Sequence, residues 1–191
     1  MKHRLLLAVS IFGLVLYGGT AAATAAPART QASAGQQNCV ATALPAGDPG
    51  TPSVTCYASF AKAISAATHG RVHLPASATP GSVTIKQLNA GATPATTFVL
   101  SIDWVNVNFG GGSLTWTQSA ACGSFQASGM PSGWNDTVSS VATYSGCANT
   151  LYKNAGFGGA TISIGRNSSA SSLGTMNDQT SSEKWCTARP C

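Results

Sequence analysis

The sequence is short of charge. Only 8% of its 191 residues are Asp, Glu, Lys or Arg, and just five are acids. Asp48, Asp103 and Glu183 are scattered along the chain, so hydrolysis by paired carboxylates finds no evident pair. No G-x-S-x-G occurs, and beyond the N-terminus His69 and His73 are the only candidate bases. Their spacing of four would place them on one helix face, but Gly70 breaks that helix. They read as surface histidines, because zinc needs three or four ligands and none accompany them. No C-x-x-C is present, and no run of basic residues suggests nucleic acid or a membrane surface. These absences point away from an enzyme.

The N-terminus is organised for export. Met1-Lys2-His3-Arg4 is a short basic head, Leu5 to Gly19 is almost uninterruptedly apolar, and small residues follow from Thr20 to Ala26. This pattern reads as a secretory signal peptide over 1–25, with Ala23-Thr24-Ala25 fitting the A-x-A rule and cleavage after Ala25. The apolar run is short for a membrane span. Removal of Lys2 and Arg4 leaves eight basic and five acidic residues, a net charge of 8 − 5 = +3. No later segment is apolar enough to cross a bilayer. The expected product is secreted and extracellular, with no nucleic-acid or membrane partner. All six cysteines (Cys39, Cys56, Cys122, Cys147, Cys186, Cys191) follow the cut, and an even count in an exported chain implies disulfides. Six cysteines allow fifteen connectivities; the preferred set is Cys39–Cys56, Cys122–Cys147 and Cys186–Cys191.

Residues 26–38 are small and polar and read as a disordered leader. Residues 39–95 form a mixed N-terminal segment. Gly47 to Pro52 is turn-rich. Tyr57 to Thr68, with Phe60 and Ile64 at i and i+4 and several alanines, suits one short helix closed by His69-Gly70. Arg71 to Leu74 and Ser82 to Leu88 read as short strands, and Gly91 to Ala95 as a linker. From residue 96 the texture changes. Phe98, Leu100, Ile102 and Trp104 alternate as in a half-buried strand, Phe109 to Gly112 is a tight turn, and Leu114 and Trp116 alternate again. This is a hairpin.

Two of the five acids occupy the same slot of one repeated hexapeptide: Asn135-Asp136-Thr137-Val138-Ser139-Ser140 and Asn177-Asp178-Gln179-Thr180-Ser181-Ser182. Each gathers oxygen groups around one carboxylate, which suits a hard cation such as calcium. The other reading is a pair of polar turns, since Asn, Asp and Ser are common turn and cap residues. The repeat extends backwards. Trp104 aligns with Tyr152, Phe109 with Phe157, Gly111 with Gly159, Leu114 with Ile162 and Trp116 with Ile164. The first copy carries a six-residue insertion in the region of Cys122. A repeat of this length is one supersecondary unit that cannot bury its apolar face alone. The aromatics would pack across a folded-over turn, and the glycines would supply positive φ. Ser140 and Ser182 would bond back to the hairpin.

Aromatic-x4-aromatic-x-Gly followed by N/D-N/D-x-x-S/T-S, twice in about ninety residues, resembles the βγ-crystallin domain of the calcium-binding microbial type, over about 97–187. The resemblance implies an all-β domain at 96–191 in a bacterial protein: two Greek-key motifs (about 97–144 and 145–187) in a β-sandwich of two four-stranded sheets. It also implies two calcium sites, each built by both motifs. Asp136 and Asp178 would each give a side-chain oxygen to the other motif's site. Thr137 and Gln179 would give backbone carbonyls, and Ser139 and Ser181 hydroxyls. The hairpin carbonyl would come from Val105 or Lys153, and water would complete the shell. Lys153 places a cation beside one site, and the Cys122 insertion bears on the geometry of the first motif. The alternative function on the same fold is a secreted peptidase inhibitor or killer-toxin-like protein, whose partner would be an extracellular peptidase; a cell-wall partner is also open. The Cys122 insertion or the cysteine-bounded N-terminal segment would then present the rigid loop.

Overall fold

The computed structural model describes residues 37–89 and 97–191. The expected signal peptide, the leader up to residue 36 and the linker at 91–95 lie outside the described residues. No helix among the described residues is long and apolar enough to cross a membrane.

Strands β1 (Asn38–Thr42), β2 (Leu44–Pro45) and β3 (Val54–Tyr57) come first, followed by helix α1 (Phe60–Ala67). A 3₁₀ turn at Pro80–Ser82 and helix α2 (Ile85–Asn89) complete the N-terminal part. The first repeat supplies β4 (Phe98–Asn106), β5 (Gly110–Gln118), β6 (Phe125–Ala127) and β7 (Ser140–Thr143). The second supplies β8 (Ala148–Asn154), β9 (Gly158–Ile164), β10 (Ser169–Ala170) and β11 (Ser182–Cys186).

Two sheets form. One has the order β10-β7-β4-β5-β1-β3, the other β2-β6-β11-β8-β9. Each repeat keeps three strands in its own sheet and sends its third, β6 or β10, into the other. Neither repeat can therefore close its sheet alone. The expected pair of four-stranded sheets is present as β10-β7-β4-β5 and β6-β11-β8-β9, two Greek keys packed face to face. The core between them is filled by Leu100, Leu114, Trp116, Val138, Leu151, Ile164 and Trp185.

The N-terminal part is built into this body rather than set apart from it. β1 runs parallel to β5 from Asn38–Ser113 to Thr42–Thr117, β3 flanks β1, and β2 extends the second sheet at β6. The strand begins at Asn38, inside the stretch expected to be a leader, and the Gln37 carbonyl accepts from Ser113 N at 2.9 Å. Helix α1 and the residues after it cover the outer face of the first sheet. Phe60, Ile64, Ala67, Val72 and Leu88 pack there on Val99, Ile102, Trp104, Ala142 and Tyr144. The alternation read from Phe98 to Trp104 is broken by a register shift between Val99 and Ser101. Leu100 faces the inter-sheet core, and Ile102 and Trp104 face the second core.

Local chemistry corrects other expectations. The helix starts later than Tyr57, because Ser59 caps it through Lys62 N at 3.3 Å and Tyr57 belongs to β3. Arg71 to Leu74 is not a strand: Arg71 N bonds to the Thr68 carbonyl and Val72 N to Thr68 Oγ1, so the helix end consumes these donors. Ser82 to Leu88 is not a strand either. Thr84 and Gln87 cap each other reciprocally, Gln87 N to Thr84 Oγ1 at 3.2 Å and Thr84 N to Gln87 Oε1 at 2.9 Å, which starts α2. The disulfides are Cys39–Cys56, Cys122–Cys147 and Cys186–Cys191, the preferred set. Cys122–Cys147 ties the insertion of the first repeat to the start of the second.

Candidate metal centre

The two repeats fold their hairpins identically. Trp104 meets Phe109 edge-on with ring centroids 5.1 Å apart, and Tyr152 meets Phe157 edge-on at 5.6 Å. The chain turns back sharply at positive φ, 61° at Phe109 and 67° at Phe157. One hydroxyl locks each fold. Ser140 Oγ accepts from Phe109 N at 3.0 Å and donates to the Asn106 carbonyl at 2.7 Å. Ser182 Oγ does the same with Phe157 N (3.0 Å) and the Asn154 carbonyl (2.7 Å). Gly111 has φ +74, and a β-carbon there would lie 2.6 Å from Val105 Cγ2. A side chain is excluded by conformation and by space together.

The locked hairpins hold the hexapeptides. Ser139 N donates to the Trp104 carbonyl at 2.8 Å, and Ser181 N to the Tyr152 carbonyl at 2.9 Å. The hexapeptides also hold each other: Asp136 N donates to the Thr180 carbonyl (3.0 Å) and Asp178 N to the Val138 carbonyl (2.9 Å). Both aspartates are turned into the left-handed region, φ 55° and 54°. Each carboxylate is thereby aimed at the other repeat. Ser139 Oγ donates to Asp178 Oδ1 at 2.8 Å, and Ser181 Oγ donates to Asp136 Oδ1 at 3.1 Å. Each aspartate therefore meets the serine of the other repeat.

Around these pairs the aspartates are exposed, the serines buried, and Thr137 and Gln179 intermediate. Val105 and Lys153 follow the two carbonyls that the serine N–H groups grip, so each hairpin residue stands beside the serine of its own repeat. The Lys153 side chain is exposed. The asparagines differ. Asn135 Nδ2 donates to Asp136 Oδ2 at 2.6 Å, whereas Asn177 Oδ1 accepts from Leu173 N at 2.8 Å and so fixes the loop before its hexapeptide. His69 and His73 are both exposed on the far N-terminal part, and His69 Nε2 pairs with Thr97 Oγ1 at 2.9 Å.

Two acids that looked scattered in the sequence meet in the core. Asp103 on β4 and Glu183 on β11 are fully buried, hydrogen-bonded side chain to side chain between the sheets. Trp116 Nε1 donates to Asp103 Oδ2 at 2.6 Å, and Asn149 Nδ2 donates to Glu183 Oε2 at 3.0 Å. Glu183 Oε1 has no fixed donor. A proton placed there turns it into a donor toward Asp103. Burial pushes the Asp103 carboxyl up to about 7, and burial followed by repulsion from Asp103 holds Glu183 well above the usual range. In the repeat alignment Asp103 replaces the counterpart of Leu151, and Glu183 that of Val141. That exchange of apolar for acidic residues at paired core positions was the available signal.

The family model of peptidase inhibitor family I36 matches residues 104–164. No curated protein matches the chain. Among solved structures, one described under the evolution of the eye-lens βγ-crystallin domain fold is 27% identical, over 46% of this chain and 85% of that one, with a TM-score of 0.39. A βγ-crystallin domain from Flavobacterium johnsoniae is 25% identical over 48% of this chain and 98% of that one, TM-score 0.34. A βγ-crystallin from an archaeon is 26% identical over 45% of this chain and 95% of that one, TM-score 0.35. With each key lending its third strand to the other's sheet, and each hairpin folded over and locked by the last serine of its hexapeptide, residues 98–186 have the βγ-crystallin fold.

Proposed function

We propose that this is an exported calcium-binding βγ-crystallin-type protein that holds up to two Ca2+ and is stabilised by them. The observation that carries the reading is the reciprocal pairing of Ser139 with Asp178 and of Ser181 with Asp136. Oxygens about 3 Å apart have the spacing of neighbouring ligands in a shell whose metal–oxygen distances are about 2.3–2.6 Å. One ion would take Ser139 Oγ, the Thr137 and Val105 carbonyls and the Asp178 carboxylate. The other would take Ser181 Oγ, the Gln179 and Lys153 carbonyls and the Asp136 carboxylate. An all-oxygen set suits a hard cation, and water fills the rest of a six-to-eight-oxygen shell. One carboxylate per ion is little charge, so the expected affinity is in the roughly micromolar to millimolar range.

Binding to the folded state alone raises its stability by mass action. Calcium should therefore raise the melting temperature while magnesium does not, and Asp136→Ala with Asp178→Ala should remove the shift. Melts indifferent to calcium, or a shift that survives the double substitution, would sink the reading.

The match to a peptidase inhibitor family favours a second reading, a secreted inhibitor without catalysis of its own. The matched residues include the insertion pinned by Cys122–Cys147 and leave out the Cys39–Cys56 loop. The insertion is thus the better candidate for an inhibitory loop. A panel of secreted metallo- and serine peptidases would reveal inhibition, and replacing residues 119–121 should abolish it.

A further inference from the structure

The repeat exposes a difference between the sheet edges. By the repeat alignment β9 is the counterpart of β5. In the first sheet the far side of β5 is taken by β1, which pairs with it from Ser113 to Thr117. Every residue of β5 from Gly112 to Thr117 is buried. β9 is the last strand of the second sheet, and no backbone group of another described element is hydrogen-bonded to its far side. Gly159, Ala160 and Thr161 are exposed there. β9 also lacks the features that keep an edge from pairing: it contains no charged residue and no proline. The other edges are shorter, with two residues each in β2 and β10, Pro45 among them, and four in β3. The backbone of β9 points the right way. The Tyr152 carbonyl accepts from Ser181 N and so faces β11. Alternation along β8 then turns Leu151 and Asn149 toward Ile162 and Ile164 of β9. The N–H and C=O groups of Thr161 and Ser163 therefore point away from β8, to the open side.

We propose that this edge pairs with the β9 of a second copy, antiparallel about a two-fold axis at Thr161, joining two five-stranded sheets into one. Self-complementarity commits the edge to a second copy. Thr161 is the middle residue of Gly158–Ile164, so the two strands overlap over their whole length. Centred there, Thr161 faces its own copy and exchanges both backbone hydrogen bonds with it, and Ser163 does the same with Gly159. Ile162 lies opposite Ala160, large against small, and no like charges meet along the strand. A contact of this symmetry closes on itself and stops at a dimer. The N-terminal segment has a part in this, because β1 occupies the equivalent edge of the first sheet and leaves one long edge open. The pairing uses no residue of the hexapeptides and is independent of calcium.

The test is sedimentation velocity of the chain without its expected signal peptide, in calcium-free buffer from micromolar to millimolar concentration. The mass should rise from monomer to dimer. Over the same range, hydrogen exchange of the Thr161 and Ser163 amides should slow, while that of Ile162, already bonded to β8, should not change. Thr161 is exposed, so Thr161→Lys and Thr161→Asp should fold as the wild type does. Each sets like charges face to face on the axis and should remain monomeric, and an equimolar mixture of the two should regain the dimer mass. The proposal is overturned if the wild type stays monomeric throughout, if the Thr161 and Ser163 amides exchange at a rate independent of concentration, if Thr161→Lys dimerises like wild type, or if the mixture stays monomeric.

Discussion

The buried pair Asp103–Glu183 predicts that this protein is less stable at neutral pH than at mildly acidic pH, the reverse of ordinary acid denaturation. Both carboxyls are held above their ordinary range in the folded protein. Below about pH 4 folded and unfolded chains are both protonated at these positions, and no penalty exists. As pH rises through the unfolded value, the unfolded chain releases protons that the folded chain retains. Stability then falls by about 1.4 kcal/mol per pH unit for each such group, until the folded value is passed. For Asp103 the window runs from the ordinary value of 3.8 to about 7. The loss from this group alone is therefore about 4 kcal/mol by pH 8. Asp103→Asn with Glu183→Gln keeps the volume and the acceptors for Trp116 and Asn149, and it removes the protons. Urea unfolding at pH 4.5, 6 and 8 with a chelator present, followed by tryptophan fluorescence, measures both proteins. The wild type should weaken across this range and the double amide variant should stay level, overtaking it near neutrality. Parallel profiles for the two proteins, or a wild type most stable at pH 8, would show that the pair does not hold its protons in the folded chain.

Other perturbations test the frame of the site. Ser140→Ala and Ser182→Ala each remove a hydroxyl that bridges Phe109 N to the Asn106 carbonyl or Phe157 N to the Asn154 carbonyl. Each should cost about 1 kcal/mol in denaturant unfolding, because part-buried backbone groups lose their partners. Gly111→Ala combines positive φ with a 2.6 Å overlap and should lower stability by more than 1 kcal/mol, whereas Gly129→Ala, with open space around it, should be near neutral in the same melts. Replacing Cys122 and Cys147 together with serine opens a link across 25 residues and should cost about 3 kcal/mol at equilibrium.

Much of the fold was legible because the repeat fixes its parts relative to one another. The alignment of Trp104 with Tyr152 predicted the folded hairpins, the glycines and the returning serines, and the structure has each of them. The disulfides also followed the preferred set. The N-terminal segment was read less well, for physical reasons. Its strand β1 has no alternation to announce it, since Cys39 and Ala41 face the inter-sheet core while the partly buried Val40 between them packs on the second core. The mutual cap of Thr84 and Gln87 was present in the sequence, but the β-branched Val83, Thr84 and Ile85 argued for a strand. At the candidate centre, the crossing of each aspartate to the other repeat's serine came from the resemblance, and no local spacing encodes it. The acid pair was missed because Asp103 and Glu183 are eighty residues apart. Only the packing of β4 against β11 brings them together.

Calorimetric titration of the chain without its first 25 residues by calcium, with magnesium as the control, decides whether the paired hexapeptides hold the ion. Saturable calcium heats fitting up to two sites are expected, in the roughly micromolar to millimolar range. Asp178→Ala should disable the site of Ser139, and Asp136→Ala the site of Ser181. Calcium heats no larger than those of magnesium, or single aspartate variants that titrate like wild type, would show that they do not hold it.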